Sequence, residues 1–186
     1  MSCAIPSSRK SSKPTKCADS QPDDGLMKLI TLSNAQRAHR IYAPAFKQAA
    51  EILLGTLLKL PRYQLAIHLV GKRPMARLNQ QYMSHDGPTD IITLDYRTNL
   101  PSEPLQGELY ICVDVAIEQA HQHRTLWQRE LFRYLTHGVL HLCGYDDLKP
   151  RDRSKMKRAE NLLLRKLAKC LPPSSITAKR PRTAHD

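Results

Sequence analysis

The sequence predicts an α+β fold: a single compact domain with a small mixed sheet of about four strands packed against several helices. Three observations lead there. Strand-like alternation and helical apolar spacing are interspersed along the chain without strict βαβ order. The length, 186 residues, suits one domain with tails. Apolar residues make up 41% and aromatics only 5%, so Leu, Ile, Val and Ala must build most of the core.

Residues 1–25 are polar and carry Pro, Ser and Lys, the composition of a disordered N-terminal tail. The domain is expected over residues 26–171. "MKLITLSN" reads as the first strand. "APAFKQAAEILLGTLLKL" has Phe46, Ala49, Leu53 and Leu57 at helical spacing, with Pro44 near its first turn and Pro61 as its stop. "YQLAIHLV" alternates, with Leu65, Ile67 and Leu69 on one face and Gln64, Ala66 and His68 on the other. "RPMARLNQQYM" reads as a short helix, "SHDGPTD" as a loop and "IITLDY" as a strand. After the loop "NLPSEPLQG" comes the strand "ELYICV". "DVAIEQAHQHR" reads as a helix with Asp114 as its cap. "KPRDRSKMKRAENLLLRKLAK" reads as a basic amphipathic helix with Met156, Leu163 and Leu167 inward. Residues 172–186 resemble the N-terminal segment and are expected to be a basic C-terminal tail.

There are 29 Lys+Arg against 17 Asp+Glu, a formal charge of +12, which favours a phosphate-bearing partner such as nucleic acid. The five cysteines are scattered and contain no C-x-x-C, which argues against a disulfide framework or a structural Cys-zinc site and fits a reducing cytoplasm. Cys143 reads as a small buried hydrophobe. No apolar run approaches the roughly 20 residues that span a bilayer, and no membrane partner is expected.

The chemistry concentrates in "HGVLHLCGYDD", residues 137–147. Thr125 and Gln128 have capping-box spacing at the start of the preceding helix, and Leu131, Leu135 and Leu142 continue its apolar stripe. Gly144 supplies the left-handed residue that commonly closes a helix. His137 and His141 therefore stand one turn apart on the same helical face, where two neutral imidazoles can reach one metal ion. The chain turns back after Gly144, and the available third ligands are Asp146 and Asp147. Two His and one carboxylate leave positions open for water and substrate. A zincin protease needs Glu where this helix has Gly138, which disfavours that chemistry. His121 and His123, two apart on a helix, cannot share an ion.

This stretch resembles the signature of the YbeY family of metal-dependent endoribonucleases, H-G-x-L-H-L-x-G-Y-D-H, from His137 through Asp146, with Asp147 where the family has His. "LNQQYMSHDGPTDIITLDY" and "GELYICVDVAIEQA" resemble two further family segments in the same order. The resemblance covers roughly residues 60–165. It implies a compact α+β domain holding one Zn2+ on His137, His141 and Asp147. The implied activity is cleavage of single-stranded RNA, ribosomal RNA above all, in ribosome maturation. Ribosomal subunits or ribosomal proteins are the implied partners, and the chain is expected to act as a monomer. Glu108, at the family's acidic position after Gly, is the candidate general base. The family's Arg after Tyr is replaced by Met83; His85 and Arg77 are the candidates to take its place. Arg77, Arg97, Lys149 and Arg151 are the candidate RNA contacts. Loss of that Arg also admits an alternative: a catalytically weak, ribosome-associated RNA-binding assembly factor that retains its metal.

Overall fold

The computed structural model describes residues 27–98 and 103–177. The segment expected to be the N-terminal tail, residues 1–25, lies outside the described residues, as do residues 178–186 of the expected C-terminal tail.

Four strands form the sheet: β1 (Lys28–Asn34), β2 (Tyr63–Val70), β3 (Ile91–Asp95) and β4 (Leu105–Cys112). Their spatial order is β1-β2-β4-β3. β1, β2 and β4 run parallel, and β3 closes one edge antiparallel to β4. The alternation in β2 has its physical consequence here: Leu65, Ile67 and Leu69 are buried, while Gln64, Ala66 and His68 are half-buried on the opposite face.

The helices are α1 (Ala43–Glu51), α2 (Lys72–Met83), α3 (Val113–His123), α4 (Trp127–Leu142) and α5 (Pro150–Cys170). The single helix expected over residues 43–60 is in two parts. Regular α1 gives way to a π-helical segment, Ile52–Leu57, whose wider turn is closed by Leu58 N–H donating to Leu53 O at 2.9 Å. Phe46, Ala49, Leu53 and Leu54 are all fully buried, so the core-facing stripe survives the change of pitch.

α4 carries Leu131, Leu135, Val139 and Leu142 into the core. Two glycines let it lie close against the sheet. A Cβ on Gly138 would stand 2.6 Å from Ile91 Cδ1 and 2.7 Å from Leu109 Cδ2. A Cβ on Gly107 would stand 2.5 Å from the Leu94 carbonyl oxygen and 2.7 Å from Leu142 Cδ2. The helix that carries both histidines is thereby set against β3 and β4. Met156, Leu163 and Leu167 of α5 are buried, as expected.

Three local expectations need correction. Asp114 sits in the first turn of α3 after an N-cap at Cys112, and its carboxylate accepts the Lys72 N–H at 2.9 Å, so it serves the start of α2. Thr125 and Gln128 form no capping box: Leu126 is the N-cap of α4, Thr125 donates to Glu130 at 2.8 Å and Gln128 to Thr177 at 2.9 Å. The C-terminal tail does not begin at 172. Pro173–Ile176 form a 3-10 turn, Ile176 is fully buried, and Thr177 bridges to Ile41. The single apolar residue Ile176 provides the anchor in an otherwise polar stretch.

Candidate metal centre

His137 and His141 project from the last two turns of α4, which ends where Gly144 adopts φ +86°. That left-handed turn reverses the chain, and Asp147 comes back over the histidine face. The Nε2 atoms of the two imidazoles are 3.1 Å apart, and Asp147 Oδ2 is 3.9 Å from His137 Nε2. One ligand atom from each of the three residues lies within 4.8 Å of the others. Donors about 2 Å from a shared ion stand roughly 3–4 Å from one another, so the His137–His141 and His137–Asp147 spacings suit one cation.

The tautomers favour the same reading. His137 Nδ1 lies 3.2 Å from Glu160 Oε2, and His141 Nδ1 lies 3.1 Å from the Tyr145 carbonyl oxygen. Both partners are acceptors, so each Nδ1–H can donate to them, which leaves the Nε2 of a neutral ring free as a metal ligand. An acceptor behind each ring also fixes its orientation and raises its basicity as a ligand.

Glu160 is only 3% exposed. Burial by itself pushes its carboxyl up, but hydrogen bonds from His137, Lys157 and Arg133 outweigh that and hold it down at about 2. Arg133 reaches it at 2.6 Å and Lys157 at 3.0 Å. Arg133 also binds the buried Glu130 at 3.1 Å. Arg153 Nε donates to the Asp147 carbonyl at 2.9 Å and steadies the ligand-bearing loop. Asp146, the other candidate third ligand, accepts the Leu148 N–H at 3.0 Å within that loop.

Cavities open on both sides of His137. One, of about 540 Å³, is lined by Tyr134, Asp147, Arg153, Lys157 and Glu160 among others. The other, of about 350 Å³, is lined by Met83, Asp90, Thr93 and both histidines. Met83 thus stands in the cavity where the family pattern would put a guanidinium.

The remaining sequence-based site residues scatter. Glu108 is corrected as a general base. Its neighbours Gly107 and Leu109 meet α4, so by the period-2 alternation Glu108 faces the far side of the sheet, where it accepts the Tyr110 hydroxyl at 2.8 Å. Arg97 is corrected as an RNA contact. Its side chain is 9% exposed, forks onto Asp95 and donates to the Leu142 carbonyl, so it ties β3 to the end of α4. His85 is exposed in the loop after α2, and neither cavity includes it. Arg77 is exposed on α2; Lys149 and Arg151 are exposed at the start of α5, close in the chain to Asp147. Cys143 is half-buried against the core, and burial raises its thiol. His121 and His123 are exposed.

Glu160 and Tyr134 were missed in the sequence. The signal for Glu160 was available: it falls on the apolar stripe of α5 between Met156 and Leu163, where a carboxylate needs partners to be buried. Thr89 and Asp90 match the Thr-Asp pair of the family pattern and are expected to be turn and strand-start residues that support the site. Asp90 Oδ1 does accept the Thr89 hydroxyl at 3.0 Å and the Ile91 N–H at 2.9 Å, yet Asp90 also lines the cavities on both sides of His137.

Known proteins similar to this chain point to one family. The model of the family described as Endoribonuclease YbeY matches residues 31–168. An Endoribonuclease YbeY of Chlorobium luteolum is 42% identical over 104 residues, spanning 56% of this chain and 74% of that protein. One from Ureaplasma parvum is 33% identical over 129 residues, spanning 69% and 83%. In fold, the chain is similar to a solution structure from Thermotoga maritima, with TM-score 0.56, 20% identity, and coverage of 83% of this chain and 99% of that one. A sheet-packed helix bearing two convergent imidazoles, a carboxylate returned by a glycine turn, and a family match across most of the domain lead to one conclusion: the chain belongs to the Endoribonuclease YbeY family.

Proposed function

We propose that this chain is an endoribonuclease that cleaves single-stranded RNA by zinc-assisted phosphodiester hydrolysis, and that it acts on ribosomal RNA during ribosome maturation. The convergence of His137, His141 and Asp147 within 4.8 Å carries the proposal. The names of the relatives support RNA as substrate, and the +12 charge supports a polyanion. No described helix is long and apolar enough to cross a membrane. We place the activity in the cytoplasm, with the protein working as a monomer on ribosomal subunits or alongside ribosomal proteins.

His137, His141 and Asp147 would hold one Zn2+ per chain. When bound, it supplies Lewis acidity toward a phosphoryl oxygen and lowers the pKa of its water. Asp147 in the place of the family's His adds a negative charge, which makes manganese more competitive. Glu160 and the Tyr145 carbonyl hold the two rings in register. Asp90, with one carboxylate oxygen engaged by Thr89 and Ile91, takes over the proton-accepting role first considered for Glu108. Lys149 and Arg151, with Arg77 further off, neutralise backbone phosphates, and His85 belongs to that outer group.

Elemental analysis of the purified protein, with cleavage of single-stranded RNA before and after chelation, tests the proposal. The expected result is about one metal per chain and cleavage that stops with chelator and returns with zinc. Cleavage that survives both chelator and His137→Ala refutes it. One observation favours the second reading, a weakly catalytic assembly factor: Met83 faces the metal ligands and offers no charge to a phosphate. Under that reading the protein binds metal and co-sediments with ribosomal subunits but cuts poorly, and Met83→Arg raises the cutting rate.

A further inference from the structure

Beyond the metal centre lies a cavity of about 670 Å³ whose wall includes Gln119, His123 and Asn161. It adjoins the cavity of His137 and Asp147, sharing Asp90, Arg133, Tyr134 and Lys157 with it. The two form one trench that runs from the metal ligands between α3, α4 and α5. We infer that this second cavity is a nucleobase subsite: it receives one unpaired base of the RNA, next to the scissile phosphodiester, on Tyr134, Gln119 and Asn161. The inference rests on the RNA-cleaving reading above and gives it a strand path.

Three observations carry it. First, Tyr134 is 4% exposed and lines both cavities, yet its phenol has no hydrogen-bond partner among the described residues. The hydroxyl itself is not enclosed by protein, so it opens to the trench and is available to a ligand there. Second, the basic groups and Glu130 on this wall are already engaged. Arg133 binds Glu130 and Glu160, and Lys157 binds Glu160. Of the other groups, Asp90 keeps one carboxylate oxygen free, and two neutral amides stand on the same wall: the exposed Asn161 carboxamide has no partner among the described residues, and Gln119 uses only its oxygen, on His123 at 3.0 Å. Neutral amides match the donor and acceptor edges of a base, whereas a phosphate calls for unpaired cations. Third, Val115 and Pro88 give the cavity apolar wall, and its volume accommodates a nucleotide. Single-stranded RNA is read in this manner, by unstacked bases whose edges meet side-chain amides. Lys157, with its side chain 57% exposed, stands at the junction of the two cavities, where the backbone would cross.

The test uses the full chain and two readouts. A randomised single-stranded RNA pool is cut by the metal-loaded protein and its ends are sequenced. Separately, chelator-treated protein is titrated with short labelled RNAs that differ at one base. The wild type should show a preferred base at a fixed offset from the cut. The Gln119→Ala/Asn161→Ala double variant should flatten that preference, and Tyr134→Phe should weaken metal-free binding about fivefold, the worth of one hydrogen bond. Circular dichroism confirms that the variants fold. If the wild type cuts RNA while none of these substitutions changes end preference or metal-free base discrimination, the subsite is refuted and the RNA-cleaving reading stands. If the wild type cuts nothing but its metal-free discrimination depends on Gln119 and Asn161, the subsite stands and the cleavage reading falls.

Discussion

On the face of the sheet away from α4, His68 bonds through Nδ1 to the Ser33 hydroxyl at 2.8 Å and stacks on Tyr110 with ring centroids 4.6 Å apart. Its Nε2 is buried without a hydrogen-bond partner, 3.8 Å from Glu108. On the covered face, His137 likewise has Nδ1 engaged and a carboxylate beyond Nε2, at 3.9 Å. Ring by ring, the two imidazoles have similar surroundings. The difference is the second ring: His141 brings another Nε2 to 3.1 Å from that of His137, whereas His68 faces one carboxylate that Tyr110 already occupies. A hydrogen-bonded histidine beside an acid is therefore insufficient for a metal site. Convergence of three ligand atoms is needed, and helical i, i+4 spacing supplies it where strand alternation does not.

The largest expected effect tests that contrast directly. His137→Ala or His141→Ala should abolish stoichiometric metal retention after dialysis, measured by elemental analysis, while His68→Ala retains it. Equal loss from all three would erase the distinction between the faces. Next comes the acceptor behind the ring. Glu160→Gln keeps the volume but weakens the pairing with His137, and should lower metal affinity about 10–100-fold in a chelator competition. Glu108→Gln should leave that affinity unchanged.

The glycines at the helix–sheet contact come third. Gly107→Ala meets a backbone carbonyl and should destabilise the fold by about 1–3 kcal/mol in urea unfolding. Gly138→Ala meets the ends of two side chains and gains about 1 kcal/mol of helix propensity, so its net cost should be smaller. A larger loss at Gly138 would mean that the packing of α4 is less forgiving than its neighbours suggest. The smallest effect is electrostatic. The hydrogen bond from Arg97 holds the Asp95 carboxyl below its usual range. A depressed carboxylate contributes stability above its unfolded value, near pH 4, and loses it as pH falls through the folded value. Asp95→Asn should therefore flatten the acid limb of the stability curve, read by thermal unfolding between about pH 2 and 6.

Much of the fold was legible because period and punctuation agree. β2 alternates without interruption, α4 repeats its leucines and ends at Gly144, and α5 keeps Met156, Leu163 and Leu167 on one stripe. The candidate metal site was legible for the same reason, being local: two histidines one helical turn apart and two aspartates just past a glycine turn, of which the structure brings Asp147 to the histidines. The misplacement of Glu108 was avoidable, since alternation already put it opposite Leu109, which packs under α4. Arg97 was not avoidable, because nothing in "DYRTN" tells that the guanidinium folds back onto the end of α4.

The sequence by itself determined that two imidazoles share one helical face with Asp146 and Asp147 just beyond, because spacing along one helix and one turn sets those distances whatever surrounds them. Tertiary structure alone decided what stands behind and beside them. Glu160 comes from another helix, Asp90 from a strand edge and Tyr134 from the wall of a trench. Those approaches depend on how elements distant in the chain pack, which no local pattern encodes.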